Sequence, residues 1–157
     1  MKKFLIILLF IAPIISKAQT NVVIQFGAGT AISQSNKTIT VRPEISINAG
    51  VKINRAYTYL SFMPVTSSSS NSAKILLGIN AGYEVVNNGN LGLIPTIGYY
   101  YRAMTSEGLN NGSEGLAYGL EFNYTVKEIN GTSVKIFFHP LILNNTLHSL
   151  FGMSAEF

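Results

Sequence analysis

The sequence predicts an all-β fold: an eight-stranded antiparallel up-and-down transmembrane β-barrel, formed after a cleaved signal peptide is removed. Three observations carry this. Of the 157 residues 47% are hydrophobic and only 11% charged, yet beyond the N-terminal segment no stretch approaches the roughly 18 consecutive apolar residues of a helical span. Apolar residues instead alternate with small and polar ones, the two-residue period of a strand. The last such strand runs to Phe157 with no polar tail, so it must bury its final residue. A closed sheet meets all three conditions, because it satisfies every backbone N–H and C=O in lipid without an exposed edge.

Lys2 and Lys3 precede an uncharged apolar run from Phe4 to Ile15, then Ser16-Lys17-Ala18. This is a secretory signal peptide over residues 1–18, too short and wrongly flanked for a spanning helix. Residues 19–157 form a single barrel domain. Loss of Lys2, Lys3 and Lys17 lowers the formal charge from +4 to +1, so the basic balance belongs to the discarded segment and no nucleic-acid partner is expected. The chain has no Cys and two His, which indicates neither disulfides nor a metal site, and no cofactor is expected.

Strand one, from Asn21 to Thr30, places Val22, Ile24, Phe26 and Ala28 on one face against Val23, Gln25, Gly27 and Gly29. Ser33 to Lys37 reads as a loop. Strand two, about 40–53, sets Ile45, Ile47, Ala49, Val51 and Ile53 outward and Glu44, Ser46, Asn48, Gly50 and Lys52 inward. Asn54-Arg55 predicts a two-residue turn pairing Ile53 with Ala56, Val51 with Thr58, Ala49 with Leu60 and Ile47 with Phe62. Leu60 and Phe62 then face lipid, and Tyr57 and Tyr59 face the lumen. A one-residue slip would reverse every face.

The serine-rich stretch 66–72 is an exposed loop. Strand four, about 73–86, alternates Ile75, Leu77, Ile79, Ala81, Tyr83 and Val85 against Lys74, Leu76, Gly78, Asn80, Gly82 and Glu84. Asn87 to Asn90 is a hairpin turn. Strand five, about 91–104, faces Leu91, Leu93, Pro95, Ile97, Tyr99 and Tyr101 outward and Arg102 inward, and Pro95, lacking a ladder donor, argues for a bulge or bend.

Thr105 to Leu116 is the longest loop. Strand six presents Tyr118, Leu120, Phe122, Tyr124 and Val126 outward, with Glu121 and Lys127 inward. Asn130-Gly131 makes a tight hairpin. Strand seven turns Lys135, Phe137 and His139 inward, and Asn144-Asn145 leads into the last strand. An even strand number puts short turns at the periplasmic end and longer loops outside, with Tyr99, Tyr101 and Tyr118 near the outer rim and Tyr83 and Tyr124 near the inner.

In the last strand Phe151, Met153, Ala155 and Phe157 share one face. This ending resembles the closing strand of bacterial outer-membrane β-barrels, and the strand pattern is similar to the eight-stranded OmpA-like and opacity-protein-like group. The resemblance implies residence in the outer membrane of a Gram-negative cell. It implies that Phe151, Met153, Ala155 and Phe157 form the assembly signal read by the barrel-insertion machinery. Outer-membrane lipid is the other implied partner. It further implies a structural or surface-interaction role, with 33–37, 66–72 and 105–116 as the contact surface for an extracellular partner the sequence does not identify.

An eight-stranded barrel is just wide enough for side chains to fill it, so a wide pore is not expected. The inward polar set is Glu44, Lys52, Lys74, Glu84, Arg102, Glu121, Lys127, Lys135, His139, His148 and Glu156. Mixed signs there read as a paired network plugging the lumen. His139 falls across from Glu121 if the Asn130-Gly131 turn sets the register, a candidate charge-assisted hydrogen bond or acid/base pair. No enzyme is expected: in the lipid A deacylase family the His and Ser lie two residues apart, whereas His148 and Ser149 are adjacent and point to opposite faces. Gly27-Ala28-Gly29 lacks the third glycine and the helix of a dinucleotide site. Two alternatives remain at this level, a soluble exported lipocalin-like barrel holding a small apolar ligand inside and a lipid-modifying membrane enzyme.

Overall fold

A computed structural model describes residues 20–35, 38–65, 74–104 and 115–157. The signal peptide, the 66–72 loop and residues 105–114 of the longest loop lie outside the described residues. Nine strand segments follow one another: β1 Thr20–Ser35, β2 Thr38–Ile53, β3 Ala56–Val65, β4 Lys74–Tyr83, β5 Val86–Asn88, β6 Leu91–Met104, β7 Gly115–Ile129, β8 Thr132–Leu143 and β9 Thr146–Glu156. Each pairs antiparallel with its neighbour, β1 also pairs with β9, and β4 and β5 both pair with β6. The β4 and β5 segments are therefore two lengths of one stave, and the sheet closes as an eight-stranded up-and-down barrel.

Alternation decides the faces. Phe26, Ile79, Ile97, Tyr118 and Phe151 are exposed on the outer wall, while Val23, Ile94, Tyr100, Phe137 and Leu150 are buried in the lumen. The third stave follows its turn, with Ile53 beside Ala56, Val51 beside Thr58, Ala49 beside Leu60 and Ile47 beside Phe62. Tyr57 and Tyr59 are accordingly buried inside. The turn asparagines Asn54, Asn130, Asn144 and Asn145 take positive φ, the left-handed conformation Asn tolerates best among residues with a Cβ.

Four expectations change. Ser33–Ser35 continues β1 instead of opening a loop, because Ser35 pairs with Thr38 and the ladder runs through Gln34 and Ile39. Asn87 and Asn88 belong to β5, which leaves Gly89 and Asn90 as the turn. The irregularity foreseen at Pro95 falls in the facing stave. Gly82 pairs with Thr96 and Val86 with Leu93, so the β4–β5 side carries one extra residue around Glu84 and Val85. A second register shift, between Thr125 and Lys127, leaves Lys127 exposed instead of inward.

The β1–β9 seam is a full ladder from Val23–Glu156 to Ser33–Thr146. It ends with reciprocal backbone bonds between Val22 and Phe157, at 3.1 and 2.9 Å. Phe157 itself is exposed on the outer wall, so the burial its sequence calls for comes from lipid and not from a protein core.

Candidate functional site

The lumen is the only enclosed surface of a closed barrel, and its content changes along the axis. At the end carrying turns 54–55, 89–90 and 130–131, five residues from different staves converge. Lys52 of β2 places Nζ 3.1 Å from Glu84 Oε2 and 3.4 Å from Glu156 Oε2. Lys135 of β8 donates to Glu156 Oε1 at 2.6 Å, and the Tyr57 hydroxyl of β3 donates to the same oxygen at 2.9 Å. The Lys52 ammonium also lies 4.9 Å from the centroid of the Tyr57 ring. Asn87 Nδ2 donates to Glu84 Oε2 at 3.1 Å. Two cations and two carboxylates are thus mutually neutralised, which is how charges persist in a lumen walled by low-dielectric protein. Above them opens a polar vestibule of about 300 Å³ lined by Lys52, Arg55, Glu84, Asn123, Lys135 and Glu156 among others.

Deeper in the barrel the bonds become neutral or singly charged. Asn48 Nδ2 donates to Gln25 Oε1 at 3.0 Å, and Gln25 Nε2 reaches both oxygens of Glu121 at 3.2 and 3.3 Å, crossing from β1 to β7. Asn80 Nδ2 donates to Ser61 Oγ at 2.7 Å. Thr96 Oγ1 and His139 Nε2 are hydrogen-bonded at 2.9 Å.

Toward the loop end the lumen turns apolar. Met63, Leu76, Tyr100, Ala117, Phe137, Leu141, Leu143 and Leu150 form one buried cluster. Large side chains gain their room from inward glycines: a Cβ on Gly78 would collide with the Tyr100 ring, and one on Gly27 would sit 3.0 Å from Phe137 Cζ. Beside this cluster His148 Nδ1 donates to Glu44 Oε2 at 2.7 Å. A small cavity of about 50 Å³, lined by Arg42, Arg102 and His148 with Ala31, Ser33, Leu76, Leu143 and Thr146, lies at the loop end.

The polar residues singled out from sequence therefore divide into separate groups. Lys52, Glu84 and Lys135 meet at the turn end, joined by Glu156. Glu121 and His139 are both buried, and the neighbouring pairs Phe122–Phe138 and Gly119–Leu141 put them opposite one another. Their hydrogen bonds nevertheless run to Gln25 and Thr96. Glu44 pairs with His148 and Arg102 lines the loop-end cavity, far from the turn-end charges. Lys74 opens β4 across from Val65 and Met104, and its side chain lies outside the described residues. Phe151, Met153 and Phe157 are exposed in a row on the outer wall, with Ala155 half-buried among them.

Sequence reasoning passed over Gln25, Asn48, Tyr57 and Arg42 as polar partners. Arg42 was legible, since it is two residues from Glu44 on the same face. Asn48 bonds Gln25, directly opposite on the adjacent strand, whereas Gln25 with Glu121 and Tyr57 with Glu156 join strands far apart in sequence. Among the described residues no group of three or more His, Cys, Asp or Glu is placed to hold a metal. Ser149 sits half-buried on the face opposite His148.

No protein-family model and no curated protein sequence matches the chain. Solved structures do. Neisserial surface protein A superposes with a TM-score of 0.59 at 12% identity, covering 88% of this chain and 97% of its own. A de novo designed transmembrane β-barrel gives 0.53 at 10% identity over 87% and 95%. Ail, the attachment invasion locus protein of Yersinia pestis, solved with the heparin analogue sucrose octasulfate, gives 0.51 at 12% identity over 88% and 97%. At these identities the likeness is one of fold, and a fold by itself does not fix an activity. With its apolar outer wall, the chain has the architecture of a small outer-membrane barrel.

Proposed function

We propose that the protein is an integral outer-membrane barrel with a structural or surface-interaction role, its lumen plugged and its loop end serving as the contact surface. The observation that carries this is the inverted polarity of the wall. Bulky apolar side chains such as Ile79, at 61% exposure, and Ile97, at 59%, face outward, whereas Glu121, Lys135 and His139 face inward and are buried. A lipocalin-like soluble barrel needs the reverse arrangement. The row Phe151, Met153, Ala155 and Phe157 is offered to lipid and to the barrel-insertion machinery during assembly.

The role is non-enzymatic. His139 is engaged with Thr96 and His148 with Glu44, and Ser149 faces away from both. The extracellular partner would meet 66–72 and 105–114 together with the upper β1–β2 hairpin, where Ile39 and Val41 are exposed.

Fractionation tests the reading. The protein should appear in the outer-membrane fraction and migrate differently on gels with and without boiling. Ile97→Arg, at mid-stave on the outer wall, should lower barrel stability by about 2 to 4 kcal/mol. Recovery as a soluble periplasmic protein, or a neutral Ile97→Arg in vesicle refolding, would sink it.

A further inference from the structure

We propose that the loop-end mouth of the lumen binds a small tetrahedral oxyanion, phosphate or sulfate, between Arg42 and Arg102. The two arginines stand on β2 and β6, three staves apart by way of β3 and β4 and five the other way round. Both line the same cavity of about 50 Å³, larger than the roughly 30 Å³ share of one water in the liquid. The remaining polar groups of that lining are the hydroxyls of Ser33 and Thr146 and the imidazole of His148. Among the described residues, every charged side chain in the lining carries donors and none is a carboxylate.

Glu44, two residues from Arg42, is bonded through one oxygen only, its Oε1 being buried without a partner among the described residues. Glu44 Oε2 accepts from His148 Nδ1 at 2.7 Å, which also turns the other imidazole nitrogen away from that carboxylate. The Nε atoms of Arg42 and Arg102 are buried and have no hydrogen-bond partner. Two like charges lining one cavity repel, and a guanidinium fork matches oxyanion geometry with parallel N–H donors. A bound oxyanion relieves the repulsion and satisfies both Nε groups at once. The inference goes beyond the structural reading and holds whichever compartment the loop end faces.

The test is a titration of the detergent-extracted protein with inorganic phosphate, followed through the arginine Nε–H resonances by NMR. Arg42 and Arg102 should shift together and saturate, and Arg55, at the opposite end, should not move. Arg42→Gln and Arg102→Gln should each weaken binding at least tenfold, while Arg55→Gln leaves it unchanged. If either glutamine variant loses its heat-modifiable migration, Arg42→Lys and Arg102→Lys, which keep the charge without the fork, should fold and bind more weakly than wild type. A phosphorylated monosaccharide run in parallel distinguishes sources: tighter binding than inorganic phosphate assigns the site to a glycan-borne group, and equal binding assigns it to the free ion. Shifts that never saturate, or that persist when both arginines are replaced, overturn the proposal.

Discussion

The two halves of the lumen fill the same bore by different physics. At the turn end Lys52, Lys135, Glu84, Glu156 and Tyr57 brace five staves through charges at 2.6 to 3.4 Å, beside a vestibule of about 300 Å³. Higher in the bore Phe137, Leu141, Leu150 and Met63 pack with no more than 2% exposure. Charges need partners of the right sign at the right height, and they tolerate neighbouring water. Apolar packing needs only volume, and it excludes water. The charges therefore constrain which staves meet at the turn end, while the apolar packing around Phe137, continued toward the turns by Val23, Tyr57, Tyr59 and Ile94, excludes water.

The largest test of that division is Phe137→Ala. It should cost about 3 to 5 kcal/mol through the cavity it leaves and should raise ion conductance in planar bilayers. Loss of stability without any conductance would place the seal elsewhere. Glu156→Ala strands Lys135 beside Lys52 and should cost about 3 kcal/mol, the low end for a broken buried pair because the vestibule admits water. The double variant Lys135→Met with Glu156→Leu should recover most of it in denaturant unfolding from lipid vesicles, with no gain in conductance. If the double variant is as unstable as the single one, the bracing does not depend on charge pairing.

Smaller effects sharpen the boundary between the halves. Gly78→Val forces the Tyr100 ring from its seat and should cost about 2 kcal/mol as overpacking, read from the same unfolding curves. A neutral result would mean the ring has a second place to go. Thr96→Val keeps the shape but removes the hydroxyl facing His139 Nε2, with an expected loss of about 1 kcal/mol. No change there would assign His139 to the apolar half instead of the polar one.

How much of this could be read in advance depends on the range of the cause. The faces of Glu44 to Ile53, Leu91 to Arg102 and Phe151 to Phe157 follow from strand alternation, a property of adjacent residues. The β2–β3 register follows from Asn54-Arg55, a two-residue turn that leaves one pairing. The upper part of β1 was misread because Ser33, Gln34 and Ser35 are loop-like in composition, although their neighbours on β2 hold them in the ladder. Among the lumen contacts, nearness in sequence misled at Glu121 and His139. They share a register, but their hydrogen bonds run to Gln25 on β1 and Thr96 on β6.

By itself, then, the sequence determined that this chain is an eight-stave barrel, which face each stave turns to lipid, and that the bore carries charges of both signs. Only the tertiary structure decided which charges meet. Lys52 with Glu156 spans 104 residues and Gln25 with Glu121 spans 96. These encounters depend on the tilt and shear that closure imposes on all eight staves together. They depend also on the extra residues at Glu84–Val85 and near Val126, which shift register locally. Alternation is local and survives any shear, whereas the height at which two inward side chains face one another is a property of the closed ring.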